Sequence, residues 1–224
     1  TEYVRSALFV TILATLVAVT INTFFGIMAA FLLTKFSFKG KQVLATLIDI
    51  PFSISPVIVG LAFLMTFGRL GWTYPAIRAI NTFFGTNIRI AFAIPGVILA
   101  TIFVTFPFVS REIIPILNSQ GKDEEEAAAL MGASGFTIFR KITLPQMKWG
   151  LIYGIILCSA RALGEFGAVN ALSKTRGETF TFPLEIDALY MSGTDTSITA
   201  AFAVSSILVL IAIVLIVNLL ANAL

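Results

Sequence analysis

The amino-acid sequence predicts an all-α polytopic membrane protein, and three observations carry that prediction. Of the 224 residues, 58% are hydrophobic and only 12% are charged. The mean hydropathy is +0.96, a balance outside the range of soluble domains. Five apolar runs each approach or exceed the roughly 20 residues that a helix needs to cross hydrocarbon. The polar segments between them leave no stretch of soluble-domain size.

The first run covers residues 6–34. It is too long for a secretory signal and lacks the small-residue cleavage site of one, so it reads as a span. The second, 41–67, contains Pro51 and Pro56, and the third, 90–109, contains Pro95 and Pro107. Proline removes a rung of the backbone ladder, which a bilayer tolerates where neighbouring helices re-satisfy the carbonyls. Both spans are therefore expected to be bent and bundled. The fourth span is read at 150–172 and the fifth at 198–220, giving a single transmembrane domain over 1–224.

A short basic turn (Lys35, Lys39, Lys41) follows the first span, and a polar segment, 110–148, precedes the fourth. By alternation these lie on one side, with eight Lys and Arg residues against six on the other. The excess places segment 110–148 in the cytoplasm, with the start of the chain outside and Leu224 inside. Segments 68–89 and 173–197 read as outer loops. Trp72, Tyr74, Trp149 and Tyr190 fall near span ends, where amphipathic rings favour the membrane interface.

Composition also excludes functions. A net charge of +3 scattered through short loops gives no basic face for nucleic acid. The absence of His removes imidazole chemistry and His-ligated metals. The single cysteine, Cys158, lies in an apolar run and is expected to be a buried structural thiol. No G-x-x-x-x-G-K-[ST] phosphate loop is present, so any ATP and Mg must be held by another polypeptide.

The most specific pattern lies in segment 110–148: Glu126-Ala127-Ala128, then Gly132, then Ile142-Thr143-Leu144-Pro145, or EAA-x3-G-x9-I-x-L-P. An acidic run, Asp123 to Glu126, followed by Ala127 to Met131, predicts a short helix whose first turn suits the positive end of its dipole. Gly132 should break it, and Pro145 should reset the backbone before the fourth span. The small side chains of Ala127, Ala128 and Gly132 allow close approach of a partner. Leu130, Met131 and Phe136 supply apolar anchors, and Glu126 a charge for a partner cation.

This segment resembles the cytoplasmic coupling loop of type I ABC-importer permeases. The resemblance extends over nearly the whole chain, through residues 46–56, 100–109, 149–151 and 161–169, and is greatest to sulfate/thiosulfate permeases of the CysW type. Molybdate and tungstate permeases share the layout. The resemblance implies the five-helix core of the type I permease fold and places the subunit in a bacterial inner membrane. The implied partners are a second homologous permease, two cytoplasmic ATPase subunits carrying ATP and Mg, and a periplasmic sulfate/thiosulfate-binding protein. It assigns ATPase coupling to Glu126, Ala127, Ala128, Gly132, Ile142, Leu144 and Pro145. The sequence departs from the family in two places. A further N-terminal span is expected upstream of Thr1, and Lys174 stands ahead of Thr175-Arg176-Gly177 where many relatives carry a His.

Asp49, Arg161 and Glu165 fall within or beside apolar spans, where an ionised group costs about 2.5–3.5 kcal/mol at the centre. Arg161 and Glu165 are four apart and predict an intrahelical ion pair, which Asp49 could join as a structural lock. The functional alternative is an anion pathway. Arg161 would supply positive potential and Glu165 would keep the site shallow, with Ser53, Ser55 and Ser159 adding hydroxyls and the helix broken at Pro51 and Pro56 exposing backbone amides. The same three charges also admit an ion-coupled secondary transporter. A membrane-embedded enzyme lacks every customary catalytic constellation here.

Overall fold

The computed structural model describes residues 2–87 and 89–221, with backbone alone for residue 208 and residues 215–221. Leu224, expected on the inner side, lies outside the described residues. Among the described residues all regular structure is helical.

Helix α1 (Glu2–Lys35) is the central post. Its buried positions, among them Ala7, Thr11, Ala14, Ala18, Asn22, Gly26 and Ala30, recur mainly every three or four residues, a narrow seam of small side chains. Such a seam lets helices approach closely in lipid, where apolar burial alone provides no drive. A Cβ at Gly26 would lie 2.8 Å from Val109 Cβ. Opposite the seam, Phe9, Leu16 and Phe24 are exposed.

The expected second span is two helices, α2 (Lys41–Ser53) and α3 (Pro56–Phe67), bent by 106°. Pro51 sits inside α2 without ending it. The bend falls at Ile54 and Ser55, both with extended ψ, because the residue before Pro56 is barred from the helical region. Of the breaks expected at Pro51 and Pro56, the one at Pro56 is present and the one at Pro51 is corrected. The outer loop expected at 68–89 contains an exposed helix, α4 (Tyr74–Phe84), capped by left-handed Gly85.

The third span runs well past residue 109. Helices α5 (Ile94–Thr105) and α6 (Pro107–Gln120) form one 27-residue apolar rod, Ile94–Gln120, interrupted at Phe106. The start of the polar segment at residue 110 is thus corrected. Val109, Ile113 and Leu117 form a buried i, i+4 stripe, while Arg111 and Glu112 occupy other faces and mask it in a linear reading.

Beyond the rod lie α7 (Asp123–Leu130), α8 (Gly135–Ile138), a π-helical turn (Phe139–Thr143) and α9 (Leu144–Gln146). The fourth span is also broken: α10 (Lys148–Leu163) stops at Gly164, and α11 (Gly167–Leu172) resumes after it. Sixteen residues reach only ~24 Å, short of the ~30 Å hydrocarbon thickness. The loop expected at 173–197 holds α12 (Phe182–Met191), with Phe182, Leu184 and Glu185 buried. Helix α13 (Asp195–Ala221) is the last described element. Among the described residues three helices are long and apolar enough to cross a membrane, or four with the bent pair counted as one span.

The core lies where α1 meets α5, α6 and α10. Ala30, Val109, Ile113, Leu117, Met147 and Cys158 form its largest apolar cluster. Above it, fully buried Asn22 donates to Thr105 Oγ1 (2.8 Å) and to the Ile102 carbonyl (3.1 Å), tying α1 to α5.

Candidate functional site: the loop helix and the charges among the spans

Helix α7 carries Glu126, Ala127 and Ala128 on one short, mostly exposed element. Its end is a Schellman cap. The Ala133 N–H donates to the Ala128 carbonyl and the Gly132 N–H to the Ala129 carbonyl, both at 3.0 Å. This geometry needs a left-handed residue at Gly132, whose φ is +83°. Nothing lies within 4 Å of a Cβ built there, so the glycine serves backbone conformation and leaves an open surface. Around the cap, Leu130, Met131 and Phe136 are 90%, 87% and 74% exposed, three large apolar groups with no cover from this chain.

The sequence-predicted Glu126 makes no ion pair among the described residues. Its neighbour does. Glu125 Oε1 lies 3.0 Å from Lys35 Nζ at the end of α1, with the two side chains 16% and 7% exposed. The same oxygen accepts from Thr143 Oγ1 at 2.6 Å. Lys35 Nζ also donates to the Gly121 carbonyl, and Lys122 Nζ returns a bond to the Lys35 carbonyl. Glu124 accepts from Gln146 Nε2 at 2.8 Å. Helix α7 is thereby fixed to α1 on one side and to residues 143–146 on the other.

Ile142, Leu144 and Pro145 do not share the exposed face of α7. Ile142 lies in the π-helical turn and Leu144 packs against the main core cluster. Pro145 opens α9. They form the backing of α7, joined to it through Thr143 and Glu125. The pattern motif therefore divides into an exposed part, Glu126 to Gly132, and a packed part, 142–145.

The three intramembrane charges separate. Asp49 pairs with Arg111 Nε at 3.0 Å, and that guanidinium stacks over Phe52 at 4.7 Å. Asp49 is therefore no third member of the Arg161 pair, because α2 presents it to α6. Arg161 Nη1 lies 2.7 Å from Glu165 Oε2, an ion contact by distance with no hydrogen bond directed at that oxygen. The expected intrahelical pair instead spans a helix end, since α10 stops at Leu163. Glu165 is 1% exposed, and its Oε1 accepts the Ala168 N–H at 2.9 Å, satisfying a free donor at the start of α11.

This turn faces the bend between α2 and α3. A Cβ on Gly167 would lie 3.1 Å from Pro56 Cβ, and one on Gly60 only 2.4 Å from the Ala168 carbonyl oxygen. Two helix breaks, 54–55 and 164–166, therefore sit side by side where α3 crosses α11. Ser53 and Ser55 border the first break, exposed and with no side-chain hydrogen bond among the described residues. Ser159 bonds back to its own helix at Ile155.

Sequence reasoning missed a second fixed charge. Arg176 holds Glu185, which is fully buried, through Nε at 2.9 Å and Nη2 at 2.5 Å, and stacks on Tyr3 at 5.0 Å. The carboxylate raises the pKa of the guanidinium further above its ordinary value. The Gly177 carbonyl accepts from Ser6 Oγ and the Phe182 N–H donates to Thr11 Oγ1, so the 173–191 segment clasps the start of α1. The available signal was the acidic Glu185 in an otherwise apolar helical stretch.

Residues 22–224 match the family described as binding-protein-dependent transport system inner membrane components. The sulfate transport system permease protein CysW of Escherichia coli K12 is 46% identical over 93% of this chain and 69% of its own length. The Synechococcus elongatus protein of the same name is 45% identical over 91% of this chain and 70% of its own. Among solved structures, a bacterial alginate ABC transporter in complex with a pentasaccharide-bound periplasmic protein superposes with a TM-score of 0.78 at 19% identity, over 98% of this chain and 77% of that one. An amino acid ABC transporter gives 0.64 at 18% identity, over 98% of this chain and 92% of its own. The fold is that of a type I importer permease.

Proposed function

This chain belongs to the binding-protein-dependent transport system inner membrane component family, and on that premise we propose that it is the sulfate- or thiosulfate-translocating permease subunit of an ABC importer. The likeness to sulfate permeases at 46% identity supports the cargo. The observation that carries the mechanism is the exposed, apolar-tipped α7, tied into the spans through Lys35 and Glu125. An element built this way suits a partner's groove on one face and transmits its displacement on the other.

The partners are a second homologous permease, two cytoplasmic ATPases that hold ATP and Mg, and a periplasmic binding protein that delivers the anion to a complex in the bacterial inner membrane. Glu126, Ala127, Ala128 and Gly132 form the docking surface, backed by Ile142, Leu144 and Pro145. Closure of the ATPases would move α7, and with it the ends of α1 and α6, as a rigid-body form of alternating access. The facing helix breaks at 54–55 and 164–166 place backbone polar groups, Ser53, Ser55 and the Arg161–Glu165 pair beside one another. That arrangement suits a shallow polar path.

The test is uptake by the complete complex in cells. Sulfate accumulation that requires the ATPase and binding protein and survives an uncoupler is the expected result. Uptake without the ATPase that collapses with the uncoupler would indicate ion coupling, and uptake of molybdate in place of sulfate would reassign the cargo.

A further inference from the structure

Four basic side chains are matched by an acid where helices or loops meet: Lys35 by Glu125, Arg111 by Asp49, Arg161 by Glu165 and Arg176 by Glu185. Arg69 and Arg89 make no ion pair among the described residues, and both line one cavity. It has a volume of about 860 Å³ and lies between the end of α3, the residues before α5 and the 175–178 turn. The rod Ile94–Gln120 starts beside it and ends at Gly121, so the cavity and α7 occupy opposite ends of the molecule.

Its other polar groups are Tyr74, Asn81, Asn87 and Glu178. The turn that presents Arg69 is closed tightly. The Gly71 N–H donates to the Gly68 carbonyl, and Thr73 binds the Thr66 carbonyl through its own N–H. A Cβ on Gly71 would lie 2.1 Å from that carbonyl oxygen. On the facing wall, Phe92 holds a left-handed φ of 59°, a strained conformation for a bulky residue of the kind that collects at ligand sites.

Resting on the sulfate reading above, we infer that this cavity is a binding site for a free tetrahedral oxyanion dianion, occupied before the anion passes between the helices. Two guanidinium forks suit the oxygens of such an ion, and amide and phenol donors complete the shell. Both arginines are solvent-exposed and Glu178 opposes them. Binding is therefore weak, in the millimolar range, as a site that must release its cargo requires.

The experiment titrates the purified permease complex in neutral-lipid nanodiscs with sodium sulfate at constant ionic strength, following Trp72 fluorescence as the difference between complexes carrying W149F and W72F/W149F. Trp72 lies in the Arg69 turn and is exposed. A saturable change is expected, its midpoint shifted by about tenfold or more in R69Q/R89Q, only partly recovered by R69K/R89K, which keep the charge without the fork, and unchanged in R5Q. Coincident midpoints for wild type and R69Q/R89Q, or no saturable change in wild type, would overturn the inference. So would loss of the wild-type response in nanodiscs containing phosphatidylglycerol, because the occupant would then be a lipid headgroup phosphate. The titration reads binding alone and requires neither ATP hydrolysis nor delivery by the binding protein. A complex that carries molybdate instead of sulfate refutes the cargo alone, and the same titration with molybdate then scores the arginines.

Discussion

Lys35 and Glu125, ninety residues apart, form a 3.0 Å ion pair that is largely withdrawn from solvent and joins the end of the first helix to the loop helix. Removing Lys35 leaves a carboxylate supported by Thr143 alone. K35A should loosen α7 by roughly 2 kcal/mol, and amide exchange over Asp123–Leu130 should speed by about 30-fold. Exchange at the wild-type rate would show that the pair does not hold the helix.

Glu126 and Gly132 contribute to the outside of the same element. E126K and G132D should insert at normal levels yet fail to co-purify with the ATPase. G132A adds a left-handed alanine at a cost of about 1 kcal/mol with no steric clash, so it should weaken association mildly. Full retention of the ATPase by both E126K and G132D would remove the docking role.

Arg161 and Glu165 are coupled, and Glu165 also caps α11. R161A strands a buried carboxylate, which costs about 3–5 kcal/mol. In a double-mutant cycle, R161A/E165A should be markedly less destabilised than the two single changes added together, measured by thermal unfolding in detergent. Additive changes would mean that the contact carries no energy. Normal sulfate uptake by R161A at normal protein level would separately eliminate Arg161 from the anion path.

Gly60 is the contact point of α3 with α11. G60A would place a methyl 2.4 Å from the Ala168 carbonyl oxygen, and a backbone atom cannot rotate away. A loss of roughly 1–3 kcal/mol is expected, read as a lower unfolding temperature. An unchanged temperature would mean that the two broken helices do not pack as described.

The apolar runs made the helical class legible, because no other spanning arrangement satisfies the backbone of such segments. Gly132 was legible as a helix end for the same local reason that the Schellman cap forms. What escaped depended on packing. The stripe Val109, Ile113 and Leu117 lay hidden among charges, so α6 read as loop. Asp49 met Arg111 rather than Arg161 because the bend before Pro56 turns α2 toward α6, and no spacing rule encodes a 106° angle. Glu125 looked like one of four interchangeable acids until the fold brought Lys35 to it. Arg176 and Glu185 are nine apart, beyond the reach of a helical pairing rule.

The rod from Ile94 to Gln120 has an arithmetic of its own. Twenty-seven residues at about 1.5 Å each make a beam of ~40 Å, so pivoting it by ~5° about one tip sweeps the other through ~3.5 Å. That sweep exceeds the length of a hydrogen bond. A pivot of that size moves the middle of the shaft only about half as far as the tip and still suffices to make or break polar contacts at the far end, and Pro107, which has no N–H to donate, removes one rung of the ladder midway along the beam.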